Sequence, residues 1–385
     1  MNKINTFQTT TRTIMGPGAI KNIVAEAKRL GGTKAMIITD PGLVKTGIVN
    51  ELESLLNKGN IGFSRFDSVE ADPSYETAIT AAEQVKKDGA DIIIGIGGGS
   101  AQDIAKVSSI LVTNKGPISE YFGIDLVPNP GMKLILIPTT AGTGSEVTPI
   151  AILSDHKEKL KKGIVSMHLF PSTALLDPLL TVGLPPHVTA ATGMDALIHA
   201  IEAFTSKNAT DMTDMLAIQA IKLINKNIRT AYANGENLEA REGMLEGSML
   251  AGMAFANAGV TAVHAFAYPI GAEFHIPHGV ANSIMLVPVM EFNMLGNLEK
   301  FARLAEILGE KTQGLSLRDS ALRAVETLRT LTIDLNVPNK LSSFGVKASD
   351  IPELAKGVMK VTRLLANNPR VLRVEDAEAI YKRVL

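Results

Sequence analysis

The sequence has no cysteine and no tryptophan in its 385 residues, and aromatic residues make up only 4% of it. The lack of cysteine excludes disulfides, thiolate metal ligands and a cysteine nucleophile, and it fits a reducing cytoplasm, where we expect the protein to act. So few aromatic side chains argue against a stacking surface for single-stranded nucleic acid or for sugars. The net charge of −1 gives no electrostatic footprint for nucleic acid or an anionic membrane, and we expect neither as a partner.

Long apolar runs are also missing. No run approaches the ~20 residues that a membrane-spanning helix needs, and the N-terminus lacks the apolar core of a signal peptide. A hydrophobic content of 45% with 20% charged residues is instead typical of a globular protein. At this length the chain exceeds one ordinary hydrophobic core, so we expect two domains.

The first half of the sequence alternates between strand and helix patterns. Residues 34–39, 91–96 and 132–138 are short runs in which apolar residues follow one another without polar alternation, which is typical of strands buried on both faces. Helical spacing of apolar residues occurs at 19–30 and 75–87. This alternation predicts a mostly parallel sheet with helices on both faces, a Rossmann-like α/β domain.

Helical periodicity dominates after Gly183-Leu-Pro-Pro186, and strand runs nearly disappear. We therefore predict an α/β dinucleotide-binding domain over residues 1–184 and an all-helical domain over residues 185–385. The clearest helical patterns cover residues 188–204, 211–232 and 238–257.

A run of glycines follows the second buried strand. Gly97, Gly98, Gly99 and Ser100 precede a helix that the pattern starts at residue 101 or 102. Glycines let the backbone approach a phosphate closely, and a helix N-terminus offers free N–H groups and a positive dipole end. A plain tight turn between strand and helix is the simpler interpretation, but three consecutive glycines exceed what a turn requires. We expect a phosphate-binding loop.

Two further features suit a dinucleotide. Residues 138–148 follow another strand and are rich in threonine and glycine, as expected for a crevice at the carboxyl ends of parallel strands. Asp40 ends an earlier strand, where its carboxylate can bind ribose hydroxyls and repel a 2′-phosphate, which favours NAD over NADP. Asp40 is equally well explained as a turn residue, because Asp-Pro is itself a turn signal.

Four residues of the second half form a candidate metal site. Asp195 and His199 are four residues apart, so a helix places them on one face, and His264 and His278 flank a short segment further on. A site of nitrogen and oxygen ligands suits Fe²⁺, Zn²⁺ or another first-row divalent ion. His275, three residues before His278, is open to interpretation as a ligand, a proton relay or a pocket wall.

The chain resembles the iron-dependent (group III) alcohol dehydrogenase family. The resemblance spans nearly the whole chain through four ordered motifs, at residues 97–106, 138–148, 193–202 and 264–282. It implies a Rossmann-like domain, a helical domain and a metal ion between them, as in the dehydroquinate synthase-like architecture. It assigns the metal to Asp195, His199, His264 and His278. It assigns dinucleotide contacts to Asp40, Asp72, Gly97, Gly98, Gly99, Ser100, Thr139, Thr140, Thr143, Ser145, Lys161 and Leu180.

The sequence departs from the family pattern near the last two ligands. Many members have a second histidine four residues after the third ligand, where this chain has Tyr268, and Asn or Asp three residues before the fourth, where it has His275. Either Tyr268 or His275 takes over the catalytic proton relay, or the pocket has another substrate preference.

The resemblance implies hydride transfer between NAD(H) and a small alcohol or aldehyde, with Fe²⁺, Zn²⁺ or another divalent ion as Lewis acid. Two alternatives are a dehydroquinate synthase-like lyase and a glycerol dehydrogenase-like enzyme; a non-enzymatic nucleotide sensor or filament fits a complete metal set poorly. The lyase would need several cations for a phosphorylated acid, and residues 195–282 have few. We also expect a homodimer, because residues 7–14 have strand-forming residues outside the predicted α/β core.

Overall fold

The computed structural model describes residues 4–155 and 160–385. They form two compact units, one spanning Gln8–Gly183 and the other spanning Leu184–Leu385 together with residues 4–7. The first unit is built on a parallel sheet and the second is helical, which confirms the predicted fold class.

The central sheet of the first unit is parallel throughout. Its strands, in the described part of the chain, are β1 (Thr13–Met15), β2 (Lys34–Ile38), β3 (Gly62–Phe66), β4 (Ile92–Gly97), β6 (Leu134–Pro138) and β9 (Thr173–Leu176). They lie in the order β1-β9-β6-β4-β2-β3. The smaller second sheet consists of β5 (Gly123–Ile124), β7 (Ile150–Asp155) and β8 (Leu160–Val165).

The helices of this unit are α1 (Ile23–Arg29), α2 (Pro41–Val44), α3 (Ile48–Lys58), α4 (Tyr75–Asp88) and α5 (Gly99–Thr113). They sandwich the sheet, because consecutive strand residues point to opposite faces and both faces are buried. Met36 and Ile38 belong to one hydrophobic cluster, while Ala35 and Ile37 belong to the other. This double burial is the physical reason why residues 34–38 lack polar alternation.

The direction in which the sheet grows reverses between two neighbouring strands. From β2 the chain adds β3 on one side and then returns to add β4 on the other. In open α/β sheets ligands bind outside the carboxyl ends of the strands at such a point. Asp40 follows β2 and Gly97 ends β4, so both lie at this position.

The structure also contains α3, β3 and β9, which the sequence analysis did not predict, and it differs from the expectation in further respects. Residues 13–15 pair with β9 at the sheet edge, so the expectation that residues 7–14 lie outside the α/β core is wrong for Thr13 and Ile14. The antiparallel pair β7–β8 was missed, because the lysines in β8 interrupt its apolar pattern. Helix α5 begins at Gly99, two or three residues before the predicted start at residue 101 or 102.

The second unit contains ten α-helices in its described residues. They are α6 (Pro186–Thr205), α7 (Asp211–Ala233), α8 (Leu238–Ala258), α9 (Ala262–Phe274), α10 (His278–Met294), α11 (Leu298–Ile307), α12 (Leu317–Asp334), α13 (Ile351–Lys360), α14 (Thr362–Leu365) and α15 (Val374–Arg383). Proline opens α6, where its missing N–H costs no hydrogen bond. Helices α6, α7 and α8 pack against one another.

Of the helices described, none is by itself long and apolar enough to cross a membrane; α8 and α9 meet that test only as a pair, which is bent by 101° at its break.

Candidate metal centre and nucleotide site

One face of α6 carries three buried acidic or imidazole side chains. Asp195, His199 and Glu202 occupy positions i, i+4 and i+7 of this helix, and they are 3%, 5% and 0% exposed. Helical geometry places such positions above one another. Burial of three titratable groups on one stripe is costly unless they are paired or bind an ion.

The predicted ligands converge in the structure. The Nε2 atoms of His199 and His264 lie 3.0 Å apart, and Nε2 of His264 lies 3.8 Å from Oδ1 of Asp195. One nitrogen or oxygen atom from each of these three residues falls within a common 4.8 Å. Nε2 of His278 lies 3.7 Å from the same Asp195 oxygen. Ligand atoms that bind one ion at about 2.1 Å are roughly 3.0–3.4 Å apart, so this donor set fits a single divalent ion with small movements.

A buried carboxylate fixes the orientation of His264. An oxygen of Glu202 lies 2.5 Å from Nδ1 of His264, while the other carboxylate oxygen accepts hydrogen bonds from Thr261 Oγ1 at 2.6 Å and Val263 N at 2.7 Å. Burial by itself would lower the pKa of His264, but the Glu202 carboxylate outweighs it and the pKa is raised. Nδ1 therefore holds a proton, and Nε2 faces the other ligands.

The fourth predicted ligand lies at the more open side of the cluster. The His278 side chain is 36% exposed, whereas that of Asp195 is 4% exposed. Asn282 donates from Nδ2 to Oδ1 of Asp195 at 2.7 Å, and the same nitrogen lies 3.1 Å from Nε2 of His278. Asn282, in the second turn of α10, thus orients the side chains of both Asp195 and His278.

The two catalytic candidates differ in position. The Tyr268 ring is half-buried, with its centroid 6.3 Å from that of His278. His275 is exposed and occupies the C-cap of α9 with a φ of 53°, a left-handed conformation that a histidine adopts at some cost. The structure therefore brings Tyr268 next to the cluster and leaves His275 at the surface of its unit.

The glycine loop lies against the threonine-rich loop that follows β6. A Cβ atom on Gly99 would lie 2.7 Å from Thr143, and one on Gly98 would lie 3.6 Å from the Thr140 hydroxyl. The start of α5 therefore lies in close contact with the side chains of Thr140 and Thr143. Free helix N–H groups beside hydroxyl donors suit a pyrophosphate.

Backbone and side-chain contacts connect the glycine loop to the ends of neighbouring strands. Thr139 donates its N–H to the carbonyl of Gly97 at 3.1 Å, and Gly97 has a φ of 147°, which favours glycine. A Cβ there would lie 3.3 Å from Oδ2 of Asp40. Oδ1 of Asp40 accepts a hydrogen bond from Leu43 N at 2.9 Å and so caps α2. Asp40 therefore serves as a cap and also lies beside the glycine loop.

Ser145 is held by a buried charged network behind the loop. Its hydroxyl donates to Asp103 at 2.7 Å and accepts from Lys106 at 2.7 Å. Lys106 is 0% exposed and also donates to Thr148 Oγ1 at 3.1 Å. Burial lowers the pKa of Lys106 to about 8 and raises that of the neighbouring Glu146 to about 7. The network ties α5 to the threonine-rich loop.

The remaining predicted nucleotide contacts are not all brought to the glycine loop. Asp72, with a φ of 58°, forms an ion pair with Lys161 at 2.6 Å. Leu180 is 6% exposed and packs in the hydrophobic core of its unit. Ser100 lies in the first turn of α5.

Sequence reasoning assigned no role to Glu202, Asn282 or Lys106. The spacing could have found the first two, since Glu202 is three residues after His199 and Asn282 is four residues after His278. Lys106 gives no such signal, because a lysine on an apolar helix is ordinarily solvent-exposed.

A parallel α/β unit with a glycine loop at its switch point, followed by a helical unit with a buried Asp/His cluster, defines a metal-dependent, dinucleotide-linked oxidoreductase. Comparisons with known proteins agree. Residues 10–178 match the model of the iron-containing alcohol dehydrogenase family, and residues 189–385 match that of its C-terminal region. The chain belongs to this family.

Three relatives illustrate the match. A sulfoacetaldehyde reductase of Bilophila wadsworthia is 46% identical over 376 residues, which cover 97% of each chain. The crystal structure of a 1,3-propanediol oxidoreductase has a TM-score of 0.97 with 40% identity over 100% of both chains. The structure of a sulfoacetaldehyde reductase from Bifidobacterium kashiwanohense in complex with NAD⁺ has a TM-score of 0.89 with 29% identity, covering 100% of this chain and 99% of that one.

The family comparison confirms the predicted type of function and the predicted enzyme class. The protein is an NAD-linked, metal-dependent alcohol dehydrogenase or aldehyde reductase.

Proposed function

We propose that the substrate is a small aldehyde carrying an anionic group, of the sulfoacetaldehyde kind, which is reduced to its alcohol with NADH. The observation that carries this proposal is the 46% identity to a sulfoacetaldehyde reductase over 97% of both chains. The relative that acts on 1,3-propanediol supplies the competing candidate, a neutral substrate.

We propose Fe²⁺ as the metal, held by Asp195, His199, His264 and His278, with Zn²⁺ as the main competitor. An all-nitrogen-and-oxygen donor set suits either ion. A bound divalent ion would supply Lewis acidity toward the substrate oxygen. The protein's own contribution is orientation, because Glu202 holds the proton on Nδ1 of His264 and Asn282 positions Asp195.

For the cofactor, we propose that the pyrophosphate of NADH binds at Gly97, Gly98 and Gly99 beside Thr140 and Thr143. The close approach of these two loops supports the assignment. Asp40 would then face the adenosine ribose. The other predicted contacts stay predictions, namely those of Asp72, Ser100, Thr139, Ser145, Lys161 and Leu180.

Reduction requires a hydride from NADH at the carbonyl carbon and a proton at the oxygen. We assign the proton delivery to Tyr268 rather than to His275, because Tyr268 is half-buried beside His278 while His275 is exposed. A donor must come within hydrogen-bond reach of the oxygen that it protonates.

A homodimer remains part of the proposal. Residues 4–12 form no helix or strand within the described chain, and Ile4 is 95% exposed. An extended terminus that exposes an apolar side chain is suited to pairing with a second copy. The cytoplasmic location stays a prediction.

An aldehyde panel tests the proposed function. Enzyme reconstituted separately with Fe²⁺ and Zn²⁺ is assayed with NADH against sulfoacetaldehyde, 4-oxobutanoate, propionaldehyde and 3-hydroxypropanal. We expect the highest kcat/KM with an anionic aldehyde. A clear preference for 3-hydroxypropanal would favour the diol-type function instead.

A further inference from the structure

Helices α13 and α14 run alongside α9, the helix that carries His264. At one end, a Cβ atom on Gly357 would lie 3.0 Å from the Pro269 ring. At the other end, Asn368 accepts a hydrogen bond from the backbone N–H of Ala262 at 3.2 Å. The two segments are therefore antiparallel.

Arg363 lies between these two anchor points, on α14. The part of α9 that lies opposite Arg363 is the first half of that helix, which contains His264. The neighbouring Leu364 is fully buried, which fixes the backbone, whereas Arg363 itself is exposed.

The two anchor points place Arg363 on the segment that packs against the first half of α9, where His264 belongs to the candidate metal centre. Across residues 4–155 and 160–385, Arg363 makes no hydrogen bond or ion pair. A guanidinium without a carboxylate partner near the candidate metal centre is available to a ligand.

The chemistry of that ligand follows from the guanidinium. Its planar fork of N–H donors matches the paired oxygens of a sulfonate or a carboxylate. A short aldehyde whose carbonyl faces the cluster would carry such a group a few ångströms away. Arg363 lies outside the two motifs that contain the metal ligands, residues 193–202 and 264–282, so those motifs do not reveal it.

We propose that Arg363 binds the anionic group of the substrate and thereby sets the preference for a charged over a neutral small aldehyde. The inference rests on the proposed function. It adds the residue that would carry the specificity.

The test compares Arg363→Gln with the wild type on sulfoacetaldehyde, 4-oxobutanoate and the neutral propionaldehyde. We expect kcat/KM to fall about 10- to 100-fold for the anionic aldehydes, mainly through KM, and less than about threefold for propionaldehyde. The arm that shows the larger loss distinguishes a sulfonate site from a carboxylate site. Arg363→Lys should restore part of the loss, because it keeps the charge without the fork.

Two controls separate a binding role from a structural one. Lys360→Gln removes one positive charge three residues earlier, at an exposed position near Glu353. This variant should keep wild-type activity with both the anionic aldehydes and propionaldehyde. Ethanesulfonate, an anion without a carbonyl group, should inhibit propionaldehyde reduction by the wild type competitively and should inhibit Arg363→Gln about tenfold less.

Equal losses on charged and neutral aldehydes, or no loss on either, would overturn the role of Arg363. Wild-type enzyme that reduces propionaldehyde as efficiently as sulfoacetaldehyde would contradict the proposed function itself, and the inference with it. A wild type that prefers the anionic aldehyde while Arg363→Gln keeps that preference would overturn the inference alone.

Discussion

Nδ1 of His264 and an oxygen of Glu202 form a fully buried contact of 2.5 Å. Burial would raise the pKa of Glu202, but the adjacent His264 and its hydrogen bond outweigh burial and lower it. The carboxylate can therefore only accept, and the proton resides on the imidazole. Nε2 is thereby directed at Asp195 and His199, an orientation that prepares His264 to bind a metal ion once Nε2 is deprotonated.

Glu202→Gln should weaken metal binding without unfolding the protein. The amide keeps the size of the side chain but lacks the charge that orients and strengthens the imidazole ligand, so we expect the metal Kd to rise about 10- to 100-fold. Competition with a chelator measures this Kd, and thermal melting of the metal-free protein monitors the fold. Glu239→Gln, at an exposed site on α8, is the matched control. Equal metal affinity in Glu202→Gln and the control would refute the orienting role.

His264→Ala and His278→Ala should each abolish metal retention and activity, while NADH still binds. The predicted nucleotide contacts belong to the other compact unit, so we expect both variants to keep binding NADH. Elemental analysis and NADH fluorescence titration make the two measurements. The exposed His187 provides the control His187→Ala. Stoichiometric metal in both ligand variants would show that the assignment is mistaken.

Asp40→Asn should raise activity with NADPH relative to NADH. The substitution removes the negative charge that would repel a 2′-phosphate, but asparagine can still cap α2 through Leu43 N. One unfavourable contact of about 1–3 kcal/mol corresponds to roughly 5- to 150-fold in the ratio of kcat/KM values. An unchanged ratio would mean that Asp40 acts only as a cap.

Glu146 should make the free energy of unfolding decrease as the pH rises. Burial raises its pKa from 4.5 to about 7, so the folded protein binds this proton more tightly than the unfolded chain does. The resulting stabilisation is present below pH 4.5 and is lost as the pH rises through about 7, a loss of roughly 3 kcal/mol. Urea unfolding at several pH values should show this decline in the wild type relative to Glu146→Gln. Parallel curves for the two proteins would contradict the prediction.

Deletion of residues 1–9 should yield monomers if the terminus forms the dimer contact. The cut leaves β1 in the sheet and keeps Thr10, whose hydroxyl donates to the carbonyl of Glu146 at 2.7 Å. Sedimentation at micromolar concentration compares the truncated and full chains. A truncated protein that stays dimeric would place the interface elsewhere.

Local patterns in the sequence were sufficient for some of the helices and strands and for part of the site. Apolar runs without alternation predicted β2, β4 and β6, since a strand covered on both faces has no polar side. The spacing of Asp195 and His199 placed both on one face of α6, because helix geometry depends only on nearby residues. The glycines after β4 and the family resemblance predicted where the nucleotide binds, and that site stays a prediction.

Contacts between distant parts of the chain were decided only by the tertiary structure. His199 and His264 meet across 65 positions, and Glu202 and His264 across 62, because the tertiary structure brings the start of α9 beside α6. The pairing of β1 with β9, the burial of Lys106 and the alignment of Arg363 with α9 are likewise properties of packing. No local periodicity encodes such partners, since the sequence sets which face an element buries and the assembled core sets what that face meets.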